Sequence, residues 1–215
     1  TRMRRFHEQL RGNYEVDGTT FFVSFSAGCV TVASDDFRLE EMQIRADLAL
    51  FETKSRAKGS VTIFEREMDA RYVDRQKLKD DLREALAGDA LSVAYQPMFV
   101  PDGSRIECCE ALSRWTHPER GPVAPNVFIQ IAEEMGIVSE ITRFMINRAC
   151  ADCATWPAHM GVSVNLSVQD LRGTGIIDVV AEALAKADLE PHRLHLEVTE
   201  SCLMEEPVKV QAILQ

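Results

Sequence analysis

The strongest constraint on the fold lies beyond residue 88, where short apolar runs of strand character alternate with helical segments. "ALSVAYQPMFV" (90–100) reads as a strand, "PDGS" as a turn with an Asp-Gly signature, and "RIECCEAL" (105–112) as the returning strand. Two helices follow. The first spans about 126–135, with Asn126 as N-cap and Gly136 just past its end. The second spans about 139–156, with Ser139 as N-cap, Ile141, Phe144, Met145 and Cys153 inward, and Pro157 beyond it. "GVSVNLS" is then a strand, 176–187 a helix and "RLHLEVTES" a strand. Alternation of this kind predicts an α/β protein with a parallel sheet or barrel. The chain has no internal repeat or low-complexity segment.

Ahead of this region, "TFFVSFSAGCVTVA" (20–33) is β-branched and aromatic and predicts a strand. Asp35 and Asp36 are expected to open a helix with Leu39, Met42, Ala46, Ala49 and Leu50 on one face, and "SVTIF" (60–64) to form a short strand. Residues 67–87 predict a helix with Leu78, Leu82, Ala85 and Leu86 at helical spacing and Gly88 as a stop. Its dense Lys, Arg, Asp and Glu suit an exposed connector. The expected organisation is therefore 1–66, a connector at 67–88, and 89–215. Thr1 is not an initiator methionine, and "EEPVKVQAILQ" begins a helical pattern without a C-cap, so a longer parent protein is expected.

Composition narrows the function classes. A net charge of −10 argues against binding a nucleic-acid backbone, which favours a basic face. It leaves room for a small anionic ligand held through a metal ion. No apolar run approaches the ~20 residues that span a bilayer, no secretory h-region is present, and a cytoplasmic location is expected. The six cysteines in 215 residues do not make a disulfide framework; Cys108 and Cys109 are adjacent, and Cys150 and Cys153 form a C-x-x-C inside a helical pattern with no second pair. Reduced thiols filling core space are the expectation.

Within "RIECCEALSRW", strand alternation puts Ile106, Cys108, Glu110, Leu112 and Arg114 on one face. A carboxylate in such company costs several kcal/mol or more unless a cation pairs with it. Glu110, Asn165 and Glu197 each lie near the C-terminal end of a predicted strand, and in a (β/α) barrel that rim is where sites are built. Two carboxylates and an amide carbonyl are hard oxygen ligands, suited to Mg²⁺, Mn²⁺ or Ca²⁺ rather than zinc. Spacing alone equally allows all three to cap or bridge structural elements.

The local words point further. "QP" (96–97), "EALSRW" (110–115), "PNVFIQIAEEMG" (125–136), "VNLS" (164–167) and "LEVTES" (196–201) occur in order and resemble the EAL-domain family of cyclic di-GMP phosphodiesterases. The resemblance implies part of a modified, TIM-like (β/α)8 barrel with one antiparallel strand, in keeping with the "PDG" hairpin. It also implies Glu110, Asn165 and Glu197 as ligands of Mg²⁺ or Mn²⁺, with Glu110 catalytic, and Gln96, Leu112 and Arg114 at the cyclic dinucleotide. Glu200 resembles the glutamate that braces a downstream active-site loop. The family's later motifs (an Asp-Asp pair, a lysine and a further glutamate) would lie beyond Gln215, leaving the N-terminal half of the barrel here.

Residues 1–66 resemble the C-terminal part of an α/β GGDEF domain, the diguanylate cyclase module, through "VSFSAG" (23–28) and "RADLALFETKSRAKGSVTIF" (45–64). That family places a lysine and an arginine on GTP phosphates in a K-x-x-G-R-N pattern. Here the stretch is Lys54, Ser55, Arg56, Ala57, Lys58, Gly59, so lysine replaces the arginine and loses its forked geometry. Lys54 and Lys58 are the candidate GTP contacts, or else a solvated helix end. His117 in "WTHPERG" reads as a lone loop histidine, Trp115 and Trp156 as packing residues, and Glu133 as a rim brace or an ordinary ion-pair residue. The leading expectation is a bacterial-type tandem GGDEF–EAL protein hydrolysing cyclic di-GMP. Its rivals are a non-catalytic cyclic di-GMP or GTP receptor and a diguanylate cyclase with an accessory EAL domain. The oligomeric state, a homodimer included, is left open.

Overall fold

The computed structural model describes residues 2–32, 38–56, 58–88, 90–172 and 175–198. The chain divides into two compact units, Thr1–Lys77 and Leu78–Gln215. In the first, helix α1 (Arg2–Leu10) precedes an antiparallel hairpin of β1 (Gly12–Val16) and β2 (Thr19–Val23). Asp17 and Gly18 turn it, both with positive φ (51° and 77°). The expected single strand over 20–33 is thus two: β2, and a separate β3 (Ala27–Cys29). The Asp-Gly signal that located the second hairpin was equally present at 17–18, and the polar Asn13 and Glu15 masked the strand before it. Helix α2 (Leu39–Arg56) returns the chain so that β4 (Val61–Ile63) pairs with β3 in parallel. Gly28 permits this packing, because a Cβ there would meet the Ala46 carbonyl oxygen at 2.1 Å. Asp35 and Asp36, expected to open α2, lie outside the described residues.

Helix α3 (Glu67–Ala87) agrees with the expected span, but its second half is not an exposed connector. Leu78, Leu82 and Ala85 are buried in the core of the second unit, with Leu82 at 0% exposure. Most of the charged residues that suggested a solvated rod are exposed, although Lys79 and Asp81 are half-buried against Glu134 and His117. Three apolar positions at helical spacing supply an inner face. Asp81 also bonds the ring of His117, Oδ2 to Nε2 at 3.0 Å.

The sheet of the second unit runs β5 (Leu91–Phe99), β6 (Ile106–His117), β8 (Gly161–Leu166), β9 (Leu194–Val198), with β7 (Gly121–Val123) also on β6. β5 is antiparallel to β6, whereas β6–β8 and β8–β9 are parallel. Helices α4 (Pro125–Met135) and α5 (Val138–Ala154) make the first crossover; α6 (Val168–Arg172) and α7 (Gly175–Ala187) make the second. The apolar sides of these helices and the outward row Ala111, Trp115, Val162, Val164 and Leu166 form the core. Trp115 packs edge-on against Phe128, and Trp156 against Tyr95.

Two helix starts differ from expectation. α4 begins at Pro125 with Ala124 as N-cap, and α5 at Val138 with Ile137 as N-cap, neither cap making a side-chain hydrogen bond. The proline at the first helical position sets φ without a donor to lose, which moves the start ahead of Asn126. At the other end of α4, Gly136 sits at φ 71° and its N–H donates to the Glu133 carbonyl. We expect Gly136→Ala to lower stability by about 1 kcal/mol, read from urea midpoints, because an L side chain is strained at that φ.

Candidate functional site

The pairing register brings the expected residues to one face of the sheet. Gln96 lies opposite Glu110, Glu110 beside Ser163, and Asn165 beside Glu197. Side chains two apart on a strand share a face, so Gln96, Glu110, Leu112, Arg114, Ser163, Asn165, His195 and Glu197 all point away from the helices. Asn165 and Glu197 are the penultimate residues of β8 and β9. Glu110 is not at its strand's end, because β6 continues to His117. It lies instead at the end of the parallel stretch, which runs only from Cys108 to Ala111; beyond that β6 pairs with β5 and β7 alone. The long β6 carries Arg114 about 13 Å past Glu110, from ~3.3 Å per residue.

Asn165 and Glu110 are in direct contact, with Nδ2 donating to Oε1 at 2.8 Å. Since the amide nitrogen is engaged, its carbonyl oxygen is turned away from Glu110 and remains an acceptor. Glu110 and Glu197 are half-buried and Asn165 is exposed. The donors present, two carboxylates and an amide, fit a hard cation that retains several waters. Among the described residues no group of three or more His, Cys, Asp or Glu could by itself hold a metal ion. Leu112 and Arg114 are half-buried, Gln96 is exposed, and the Arg114 Nη1 donates to the Ser113 carbonyl at 2.9 Å.

Two residues after Asn165, helix α6 starts with a cap that was not identified from the sequence. Ser167 and Asp170 bond reciprocally at the start of α6: the Ser167 N–H and hydroxyl each donate to Asp170 Oδ2 at 2.8 Å, and the Asp170 N–H donates to Ser167 Oγ at 3.3 Å. Thr142 of α5 adds a third donor to the same oxygen at 2.8 Å. The signal was legible as Ser-x-x-Asp, the capping-box spacing with a shorter acid. Arg193 fixes the entry to β9 by donating to the carbonyls of Met160 and Cys153, both at 2.8 Å.

Other residues fall into structural roles. His117 is 3% exposed and ends β6 rather than lying in a loop. Its Nδ1 accepts from the N–H groups of Glu119 and Arg120, which places the proton on Nε2 facing Asp81. Burial pushes the Cys108 and Cys150 thiols up to about 11, so both stay protonated at neutral pH. Glu133 is exposed and its carboxyl is raised, by partial desolvation first and by Glu134 second. Lys54 and Lys58 are exposed at and just beyond the end of α2. Glu200 lies outside the described residues. None of the helices among them is long and apolar enough to cross a membrane.

Comparison with known proteins identifies the family. Residues 79–215 match the family described as "EAL domain", a match that begins inside α3 as the buried Leu82 requires. The chain is 38% identical over 197 residues to protein y4lL of Sinorhizobium fredii, covering 92% of this chain and 24% of that protein. It is 33% identical over 207 residues to the "Bifunctional diguanylate cyclase/cyclic di-GMP phosphodiesterase MucR" of Pseudomonas aeruginosa, covering 94% and 30%. A solved structure described as "PaMucR Phosphodiesterase, c-di-GMP complex" superposes with a TM-score of 0.62 at 35% identity, over 64% of this chain and 57% of that one. The chain therefore spans under a third of the length of these two relatives. A match over more than half of its residues makes the chain a member of the EAL domain family, which includes cyclic di-GMP phosphodiesterases.

Proposed function

We propose that the second unit belongs to an enzyme that hydrolyses cyclic di-GMP to the linear dinucleotide with Mg²⁺ or Mn²⁺. The observation that carries this reading is the convergence of Glu110, Asn165 and Glu197 on one sheet face, with Asn165 bonded to Glu110. A divalent cation held there would neutralise phosphodiester charge and acidify a bound water. The chain's own residues do the rest. Glu110 and Glu197 supply the negative charge that retains the cation, and Asn165 adds a neutral oxygen oriented by its bond to Glu110. Arg114 can fork two hydrogen bonds onto a phosphate, which a lysine cannot reproduce. Gln96 offers an amide to the ligand, and Leu112 an apolar wall.

The first unit is proposed as the C-terminal part of a GGDEF domain, with Lys54 and Lys58 as point charges for GTP phosphates. Alignment with MucR over 94% of the chain, and so through this unit, supports that reading. The domain boundaries proposed are 1–66 and 89–215, joined by 67–88.

The test is hydrolysis of cyclic di-GMP by the purified full-length protein, following the linear product by chromatography. Product is expected with Mg²⁺ or Mn²⁺ and none after chelation. Arg114→Ala is expected to raise KM about tenfold, ~1.4 kcal/mol of binding, with metal affinity retained. Tight binding of cyclic di-GMP without turnover under any metal would favour the receptor reading instead.

A further inference from the structure

Among the described residues, one buried side-chain polar atom of this face has no hydrogen-bond partner. Ser163 is 1% exposed, its Oγ is fully buried, and no hydrogen bond reaches it. Its register neighbours are Glu110 on β6 and His195 on β9, so the hydroxyl shares a row with the carboxylate. It lies two residues before Asn165 on the same strand face. Glu110 is hydrogen-bonded at Oε1 by Asn165. A buried hydroxyl left unpaired costs about 1–3 kcal/mol, and most buried polar side-chain atoms in folded proteins have a protein or water partner.

We propose that Ser163 is a positioning residue for the cation site: its hydroxyl holds a buried water that also donates to Glu110, fixing the carboxylate for the ion. A buried water needs two to four polar partners. Ser163 and Glu110 provide two in one row, while the His195 imidazole is turned along the face towards Gly161. The chemistry also explains the burial. A hydroxyl can accept from the water while the water's second proton goes to the carboxylate, whereas a second acid in this row would repel Glu110.

This inference rests on the proposed metal-dependent reading, and the experiment separates the two. Mn²⁺ binding to the full-length protein is measured by the electron paramagnetic resonance signal of free Mn²⁺, for wild type, Ser163→Ala, Ser163→Cys and Glu110→Gln. Metal-free melting temperatures are recorded alongside. Ser163→Ala should melt close to the wild-type temperature without metal, because the hydroxyl makes no hydrogen bond to another protein group. It should weaken Mn²⁺ binding roughly threefold to tenfold, with Ser163→Cys, a poor hydrogen-bond donor, close behind. In turnover, kcat should fall with KM little changed. Unchanged Mn²⁺ affinity in both Ser163 variants, with affinity lost in Glu110→Gln, overturns the Ser163 inference alone. Unchanged affinity in Glu110→Gln overturns the metal site and this inference with it. A large fall in the metal-free melting temperature of Ser163→Ala also overturns it, since the hydroxyl would then serve the fold.

Discussion

Glu110→Gln is expected to cut hydrolysis of cyclic di-GMP by roughly 10²–10⁴, or ~3–5 kcal/mol of transition-state stabilisation. The amide keeps the side-chain shape and can still accept from Asn165 Nδ2, so the 2.8 Å contact survives in the variant. What it loses is a unit of negative charge beside the cation, in a half-buried setting where Coulomb terms are larger than in water. The variant should therefore fold normally by circular dichroism and fail to respond to a Mg²⁺ or Mn²⁺ titration. Glu197→Gln should behave alike, and Asn165→Ala more mildly, because the amide contributes no net charge. A folded Glu110→Gln protein with near-normal turnover would end the metal-site reading.

Among single substitutions, the largest effect on stability is expected at Leu82. Its side chain is fully buried in the core that also contains Trp115 and Phe128, so Leu82→Ala should cost about 2–5 kcal/mol. Urea unfolding followed by tryptophan fluorescence checks this directly, since Trp115 and Trp156 both lie in the second unit. A Gly-Gly insertion near Asp80 should be worse still. Two extra residues rotate the helix after them by about 200°, turning Leu82 towards solvent and withdrawing Asp81 from His117. A lever read from the charge of α3 predicts the opposite: a folded protein with weakened coupling. A stability loss under 1 kcal/mol for Leu82→Ala would restore the lever.

Much of this protein is determined by sequence alone, because the determining forces are local. Apolar periodicity located α3, β5, α5, β8 and β9, and the Asp-Gly turn located the β5–β6 hairpin. The packing roles of Trp115 and Trp156 and the inert thiols of Cys108 and Cys150 followed from residue type. The choice of Glu110, Asn165 and Glu197 rested on the oxygen chemistry of their side chains and on ordered motifs. Three things were decided only by tertiary structure. The first is the register that sets Ser163 between Glu110 and His195, since nothing in the sequence of one strand states which residue of another lies beside it. The second is the fate of His117 and Asp81, 36 residues apart, whose pairing turns an apparent loop histidine into a strand-end clamp. The third is the inner face of α3: a helix rich in charge reads as solvated until another segment closes over the few apolar residues it carries. Each is a contact between residues distant in the chain, and burial there is conferred by what packs against a side chain rather than by its own sequence neighbours.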